Sequence, residues 1–463
     1  MAMTREHREV AEELAAACAD LPDAAADEVR TAARLHLLDA IGVGLVASRR
    51  GPVRALDSAM QNDGRCTVLG AAGTASPGEA ALINGTFIHS LEYDDTHTAS
   101  VMHGSSVLAP AVLASTESSG RDARDPIGAF AVGWEVLVRL GLASPSGFQR
   151  VGFQGTSVAG PIAGALAAAL VGDLRREELA NVIGVAASFS AGNFTFLASG
   201  ATSKAAQAGI AAQAAISAVQ LVRGGVTGPM SVFDGERGFF GLYARDRSAA
   251  ERFRASVGDL GSRWHLLDAA FKGSPCCHFL HPFVEAVGRV GLAPGEHRHL
   301  RRIVCRVPEG QEQVIAVPWK HKQAPARADE ARWSLPYVVA LQAVHGAVGL
   351  DDFRGDPDPV VAEFASRVEW QPWPDSGYPR RFPAEIHVEW DDGRSQVVRV
   401  DDVDGNGDRR WGTDRVVRKF RDNCSAAGIA TGDVDVAVRA LLDEESFDPA
   451  VLRRLSESAA AAD

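Results

Sequence analysis

The sequence is poor in cysteine, in aromatic residues and in positive charge. Only 6 of its 463 residues are cysteines and 7% are aromatic, and 47 basic residues against 59 acidic ones give a formal charge of -12. So few cysteines in so long a chain exclude a disulfide framework, and Cys276 and Cys277 are adjacent rather than spaced as in a zinc or redox motif. The acidic balance argues against a nucleic-acid-binding protein, which needs a concentrated basic face.

Long hydrophobic runs are also missing. No segment reaches the roughly 20 uninterrupted apolar residues of a membrane-spanning helix, and residues 1–9 carry too many charges to lead into a signal-peptide core. The sequence has no Walker loop, and the glycines of residues 70–73 do not form a dinucleotide-binding fingerprint. We therefore expect a cytoplasmic protein without a nucleotide cofactor, a membrane or a nucleic-acid partner.

Small and aliphatic residues in helical patterns are abundant instead. Residues 27–48 place apolar side chains at helical spacing, which predicts a helix with one buried face. Residues 76–79 form a capping box with proline at the first helical position, which predicts that a helix begins there. Residues 157–171 and 205–222 are too apolar for surface helices and predict helices in a core.

After about residue 268 the pattern changes. Residues 300–307 alternate as a strand does, and residues 385–400 predict a hairpin that turns at an Asp-Gly pair. A helix over residues 332–348 lies between these strands, which indicates a smaller α+β unit, and helical patterning returns after it. The predicted fold is mainly α, with boundaries that divide the chain into residues 1–267, 268–400 and 401–463.

The segment from His89 to Ser106 concentrates groups that can move protons. Between apolar helices it holds three carboxylates and three imidazoles, those of Glu92, Asp94, Asp95, His89, His97 and His103. Burial and mutual charge shift the pKa values of such groups toward neutrality, which favours general acid–base catalysis. The alternatives are a solvated loop in which Asp94 or Thr96 caps the next helix, and a metal site. We expect no metal, because His97 and His103 are six positions apart rather than the four of a helical zinc pair.

Two further segments carry groups suited to an anionic substrate. Gln154, Thr156 and Ser157 lie in a glycine-bounded turn that enters a helix, where N–H groups could receive a carboxylate. Ser157 does not match the nucleophile elbow of hydrolases, because the second glycine comes one residue late, and a helix cap is the alternative. Lys204 is the single charge in an uncharged stretch, so a buried ammonium there needs a partner such as a substrate carboxylate. A surface lysine is the alternative.

A third segment lies where the helical part gives way to the α+β part. It carries Lys272, Cys276 and His278, and clefts favour such boundaries. Cys276 activated by His278 is a conceivable nucleophile, although small buried thiols are commoner.

Taken in order, these segments resemble the MmgE/PrpD family, which includes 2-methylcitrate dehydratase, cis-aconitate decarboxylase and iminodisuccinate epimerase. The resemblance spans about residues 8–345 and rests on the order and spacing of short matches, namely residues 37–42, 84–85, His89, residues 94–96, His103, residues 155–157, Lys204, Gly209, residues 275–276, His281 and residues 334–337. It implies a large all-helical domain built from both chain ends, a smaller α+β lid, a homodimer, and cofactor-free chemistry on small polycarboxylates.

The resemblance also implies roles for individual residues. His103 corresponds to the catalytic histidine, accompanied by Asp94 and Thr96, and Lys204 corresponds to a ligand of a substrate carboxylate. The residues expected to bind substrate are Glu92, Gln154, Thr156, Ser157, Lys272, His278 and Tyr337, the last as a lid contact. Gln154 stands where decarboxylase-like members place a second histidine, and Glu92 stands where a shorter carboxylate is usual.

The implied chemistry is proton removal next to a substrate carboxylate. His103 would move the proton, while Lys204 and helix N-terminal N–H groups would stabilise the charge that develops on the carboxylate. Dehydration of a hydroxy-polycarboxylate ranks first, decarboxylation of an aconitate-like acid second and epimerisation third, because Gln154 cannot shuttle a proton. A helical dimer that only binds an acid or a protein partner is the non-catalytic alternative.

Overall fold

A computed structural model describes residues 9–59, 64–120, 123–199, 201–442 and 447–462, and the charged opening residues 1–8 lie outside these ranges. The chain forms two units, residues 1–269 together with 411–463, and residues 270–410. Most described elements are helices, so the predicted mainly α fold is confirmed.

The elements follow one another along the chain as helices with a few strands. The helices are α1 (Val10–Cys18), α2 (Leu21–Ala24), α3 (Asp27–Arg50), α4 (Leu56–Ala59), α5 (Pro77–Ser90), α6 (Ser105–Ser119), α7 (Pro126–Ala143), α8 (Gly147–Val151), α9 (Gly155–Val171), α10 (Arg176–Ala186), α11 (Phe196–Ser199), α12 (Ser203–Arg223), α13 (Phe239–Tyr243), α14 (Ala249–Val257), α15 (His281–Val290), α16 (Glu312–Ile315), α17 (Trp319–Gln323), α18 (Leu335–His345), α19 (Pro359–Ala365), α20 (Thr413–Ala426), α21 (Thr431–Leu442) and α22 (Ala450–Ala460). The strands are β1 (Cys66–Thr67), β2 (Thr74–Ala75), β3 (Thr96–His97), β4 (Ala269–Ala270), β5 (Leu300–Pro308), β6 (Val368–Trp373), β7 (Ala384–Trp390) and β8 (Ser395–Val400).

Helix α5 leads directly into the segment of the predicted site. It begins as its sequence predicts: the backbone N–H of Glu79 donates to Ser76 Oγ, and the Glu79 carboxylate accepts from the backbone N–H of Ser76. This reciprocal cap satisfies two N–H groups that the first turn would otherwise leave unpaired. The predicted capping box is therefore confirmed, and the helix that it starts delivers His89 in its last turn.

Helix α3 differs from the prediction of one buried face. Every residue from Ala33 to Ala47 is buried, because α3 packs against α5, α6 and α7 and is also covered by α20 and α21. Its polar side chains inside this core have partners from distant segments; the guanidinium of Arg34, for example, donates to the carbonyl of Leu441 at 2.8 Å. A buried charge is tolerated only when it is paired, so these partners are a condition of the packing.

Helices α5 and α12 approach each other closely at two glycines. A Cβ atom on Gly209 would lie 2.2 Å from the carbonyl oxygen of Leu82 and 2.2 Å from Thr86 Oγ1. A Cβ atom on Gly85 would lie 2.9 Å from the Cα of Gly209. Small residues at this crossing therefore allow α5, which carries His89, to pack closely against α12, which carries Lys204.

The smaller unit contains a four-stranded sheet in the order β6-β5-β7-β8. Strand β5 runs parallel to β6 and antiparallel to β7, which forms an antiparallel hairpin with β8 in the register Ile386 opposite Val398. The predicted strand and hairpin are confirmed, and Gly393 at the turn has φ 88°, a left-handed conformation that glycine adopts readily. Helix α18 begins after Ser334, whose Oγ accepts the N–H of Tyr337.

Three helices of the larger unit are long and apolar enough, by length and composition alone, to cross a membrane: α3, α7 and α12. Most of each is buried inside the protein, the covered share of the apolar stretch being 83%, 89% and 61% respectively. Their apolar surface is thus largely used in helix packing within this unit.

The glycine crossing predicts a stability effect. Gly209→Ala places a methyl group against backbone atoms that cannot rotate away, and we expect the free energy of unfolding in a urea titration to fall by about 1–3 kcal/mol. Gly432→Ala in α21 is the matched control, because a Cβ there meets no atom within 4 Å, and it should be neutral or stabilising by up to about 1 kcal/mol. Equal effects of the two substitutions would contradict the packing described.

Candidate active site

The loop between α5 and α6, residues 91–104, is buried although it is rich in charge; we call it the acidic loop. Glu92, Asp94, Asp95 and Thr96 are each no more than 2% exposed. The loop folds back on itself, since the N–H of His97 donates to the carbonyl of Met102 at 2.8 Å. The alternative of a solvated loop is therefore wrong, and its acidic and basic side chains must be paired within the protein.

Two imidazoles share the carboxylate of Asp94. Its Oδ2 atom lies 2.8 Å from His89 Nδ1 and 3.7 Å from His103 Nδ1, and the two rings meet edge to face with centroids 5.0 Å apart. His89 and Asp94 are fully buried, whereas the side chain of His103 keeps 13% of its surface exposed. The cluster thus contains one imidazole that solvent or a ligand can reach, backed by a carboxylate.

Hydrogen-bond directions assign the tautomer of His89. Gln154 caps helix α9: its Oε1 accepts the backbone N–H of Ser157 at 2.9 Å, so its amide NH₂ points the other way, toward His89 Nε2 at 3.2 Å. The Nε2 atom of His89 is then the acceptor, and Nδ1–H donates to Asp94. Gln154 therefore holds a second imidazole in place.

His103 is held on both its backbone and its ring. Its backbone N–H donates to Thr156 Oγ1 at 3.0 Å, and its Nδ1 lies 3.0 Å from the carbonyl oxygen of Asp95 and 3.0 Å from Thr96 Oγ1. A carbonyl can only accept, so Nδ1 carries the hydrogen and Nε2 presents the lone pair. This is the tautomer of a general base whose active atom is Nε2.

Helices α3 and α20 hold the two neighbours of Asp94. The ammonium of Lys419 donates to the carbonyl of Tyr93 at 2.8 Å and pairs with Asp39, while the Asp95 carboxylate lies 2.7 Å from Nδ1 of His36. Burial raises the pKa of Asp39, and the adjacent Lys419 ammonium opposes that shift. The acidic loop is thus anchored by side chains far away in sequence.

Lys204 and Glu92 form a second buried pair at the start of the same loop. The ammonium of Lys204 donates to Oε1 of Glu92, and the two side chains are only 8% and 2% exposed. The alternative of a surface lysine is therefore wrong. The sequence predicts that a buried Lys204 needs an anionic partner, and in this structure that partner is the carboxylate of Glu92.

The predicted substrate contacts Lys272, His278 and Tyr337 belong to the smaller unit. Lys272 is fully buried, the ring of His278 packs 4.9 Å from that of His281, and the hydroxyl of Tyr337 accepts the N–H of Asp358 at 2.8 Å. Burial raises the pKa of the Cys276 thiol far above its ordinary value, so Cys276 is not an activated nucleophile.

Two groups of described residues have ligand atoms within 4.8 Å of one another, as metal binding requires: His89 with Asp94 and His103, and His97 with His265 and Asp268. In the second group burial lowers the pKa of His97 to about 3 and that of His265 to about 4, with nearby positive charges adding to both shifts. Both rings are therefore neutral at pH 7. In the first group the 2.8 Å contact between His89 and Asp94 has the length of a direct hydrogen bond.

Sequence reasoning missed the supporting residues of this site. The sequence gives no role to His36 or Lys419, Asp39 enters only within the matching residues 37–42, and His89 enters as one of three imidazoles and a matching position without a role of its own. The available signal was charge inside otherwise apolar helical stretches, because such a charge needs a buried partner. Among the predicted residues, the structure places Asp94, Thr96 and Thr156 directly around His103. It links Gln154 to Asp94 through His89 and joins Lys204 to Glu92.

The chain matches known proteins along most of its length. The MmgE/PrpD N-terminal domain matches residues 12–252, and the MmgE/PrpD C-terminal domain matches residues 274–442. It is 28% identical over 355 residues to a cis-aconitate decarboxylase-like protein (oryM) of Aspergillus oryzae, covering 72% of each chain. It is 25% identical over 385 residues to a cis-aconitate decarboxylase of Aspergillus terreus (77% of this chain, 76% of the relative), and 28% identical over 368 residues to the human cis-aconitate decarboxylase (75% and 73%). The chain thus belongs to the MmgE/PrpD family, as the order of its motifs predicts.

Proposed function

We propose that this protein is a cofactor-independent lyase that acts on a small polycarboxylic acid by moving a proton next to a carboxylate. The observation that carries the proposal is the His103 imidazole, whose Nδ1–H is fixed on the Asp95 carbonyl beside the Asp94 carboxylate. The cis-aconitate decarboxylases among its relatives are lyases, which supports the same reaction class.

The proposed proton transfer uses Nε2 of His103 as the base. As the ring gains a proton, the Asp94 carboxylate 3.7 Å from Nδ1 stabilises the imidazolium that forms. Negative charge develops at the same time on the substrate carboxylate next to the reacting carbon. Lys204 supplies the compensating charge by exchanging Glu92 for that carboxylate, and the first turn of α9 adds the positive end of its helix dipole.

Dehydration is the first candidate reaction. The proton leaves carbon for His103, the resulting electron pair forms the new double bond, and the hydroxyl on the neighbouring carbon leaves as water after it takes up a proton. One imidazole can serve both proton transfers, which suits a site whose second imidazole, His89, is engaged with Asp94 and Gln154.

Decarboxylation is the second candidate, and the names of the relatives favour it. His103 first takes up a proton from solvent at Nε2. The carboxylate leaves as CO₂, its bonding pair remains on the carbon, and His103 delivers its proton to that carbon to complete the product. Both reactions use the same groups, so the position of the leaving group against His103 decides between them.

The role of His103 can be tested with a panel of citrate-, methylcitrate- and aconitate-type acids in D₂O, followed by NMR. We expect wild-type protein to form an alkene by dehydration or to release a carbon by decarboxylation, and His103→Gln to lose roughly 10²- to 10⁴-fold in turnover because it has no base. His299→Gln, which changes an exposed histidine, is the control. Unchanged turnover in His103→Gln would refute the assignment.

The role of Lys204 predicts a binding defect. Lys204→Met removes a charge-assisted hydrogen bond to the substrate carboxylate, so we expect KM to rise roughly 10- to 100-fold. Lys320→Met, at an exposed lysine of the smaller unit, should leave KM unchanged. A KM of Lys204→Met equal to that of the wild type would show that this ammonium serves only Glu92.

Metal removal provides a third test. Because we propose that His89, Asp94 and His103 act as a hydrogen-bonded proton-transfer group, prolonged dialysis against a chelator should leave turnover unchanged. Loss of turnover that Zn²⁺ or Fe²⁺ restores would instead make these three residues metal ligands. Homodimer formation stays a prediction of the family resemblance, and a cytoplasmic location stays a prediction of the sequence composition.

A further inference from the structure

Lys419 on α20 reaches the acidic loop with its charged group. Its ammonium lies 2.8 Å from Oδ1 of Asp39 on α3, donates to the carbonyl oxygen of Tyr93 at 2.8 Å, and stands 3.9 Å from the centre of the Tyr93 ring. Lys419 is 6% exposed and Asp39 is 1% exposed. The lysine therefore binds the backbone and the side chain of the residue that precedes Asp94.

Close packing of two helices brings Lys419 to this position. Gly42 on α3 faces Phe420, the residue after Lys419, and a Cβ on Gly42 would lie 2.8 Å from the Phe420 ring. Asp39 is on α3 one turn before Gly42, so the same crossing that seats Phe420 places Lys419 beside Asp39. The position of the Lys419 ammonium is thus set by the packing of α20 on α3.

The residue after Asp94 is held from the same helix α3. His36 lies one turn before Asp39 and contacts the Asp95 carboxylate through Nδ1, while the N–H of Ser105 donates to the other Asp95 oxygen at 3.2 Å. Asp94 is therefore fixed on both sides, by Lys419 at Tyr93 and by His36 at Asp95. Glu92, just before, adopts a left-handed backbone with φ 53°, which a non-glycine residue keeps only when its surroundings hold it.

We propose that Lys419 is a positioning residue for proton transfer: by holding Tyr93 it sets the angle at which the Asp94 carboxylate meets His89 and His103. This inference rests on the proposed function of His103. An ion pair with Asp39 alone would stabilise the helix contact, but the additional bonds to the Tyr93 carbonyl and ring act on the loop that carries Asp94. Lys419 has no role in substrate binding in this proposal.

The test compares Lys419→Met with Arg418→Met, an exposed neighbour on the same helix. We expect Lys419→Met to lower kcat on the order of 10- to 100-fold, because a small displacement of a catalytic group is enough for such a loss. KM should change little, since Lys204 and Glu92 are untouched, and Arg418→Met should behave as the wild type. NMR titration of the His103 ring should give a midpoint that differs from the wild-type value in Lys419→Met alone.

A double variant separates positioning from stability. Lys419→Met leaves Asp39 buried without its counter-ion, whereas Asp39→Leu with Lys419→Met replaces the pair by apolar side chains of similar shape and should recover stability in a urea titration. The proposal requires that this double variant stays slow and keeps the altered His103 titration. Recovery of kcat together with stability would overturn it, as would a Lys419→Met enzyme with wild-type kcat. If wild-type protein turned over none of the acids, the proposed function would fail, while the His103 titration would still decide whether Lys419 positions the cluster.

Discussion

The requirement that a charge buried in an apolar core be paired governs the arrangement of the larger unit. Helix α3 passes through that core and carries Arg34, His36 and Asp39 in its buried stretch. Each finds its partner in a different segment: Leu441 in α21, Asp95 in the acidic loop and Lys419 in α20. Burying any of these polar side chains without its partner would lower the stability of the fold strongly. These three contacts therefore fix how the two ends of the chain pack around α3 and where the acidic loop lies.

Around the acidic loop, each hydrogen bond determines which atom of the next group donates and which accepts. The N–H of Ser157 can only donate, which orients the Gln154 amide, which in turn makes His89 Nε2 an acceptor and its Nδ1 a donor to Asp94. The Asp95 carbonyl can only accept, which assigns the hydrogen on His103. Backbone groups thus determine which ring nitrogens of the cluster carry hydrogen before any ligand binds, so the proposed proton transfer needs little reorganisation. Gln154 is part of this pattern, because its amide connects the first turn of α9 to His89.

Local signals in the sequence predicted the elements well, because a capping box, an alternating strand or an apolar helix is encoded by neighbouring residues. The helix at Pro77, the strand at Leu300 and the hairpin of residues 384–400 follow directly from such signals. The burial of α3 on all sides did not, since periodicity describes one helix and not the number of helices around it. The contact from Lys419 to Tyr93 joins residues 326 positions apart and has no local signature. Sequence reasoning did identify His103, Asp94 and Lys204 as groups to examine together, but it assigned Lys204 a substrate partner where the structure has Glu92.

The division of the larger unit between the two ends of the chain has a consequence for its synthesis. Residues 270–410 leave the ribosome after the acidic loop and before α20, so Asp39 and Tyr93 wait for Lys419 while a whole second unit is made. Tyr93 and Lys419 lie 326 positions apart, so at about 5–20 residues per second roughly 15 to 65 s pass between their synthesis. Until α20 is made, the side of α3 that α20 covers in the folded chain has no partner from that helix, and Asp39 lacks its counter-ion. A polypeptide that ends before α20 therefore lacks the ammonium that pairs with Asp39 and Tyr93 and leaves apolar surface of α3 uncovered, and such exposed surface favours aggregation.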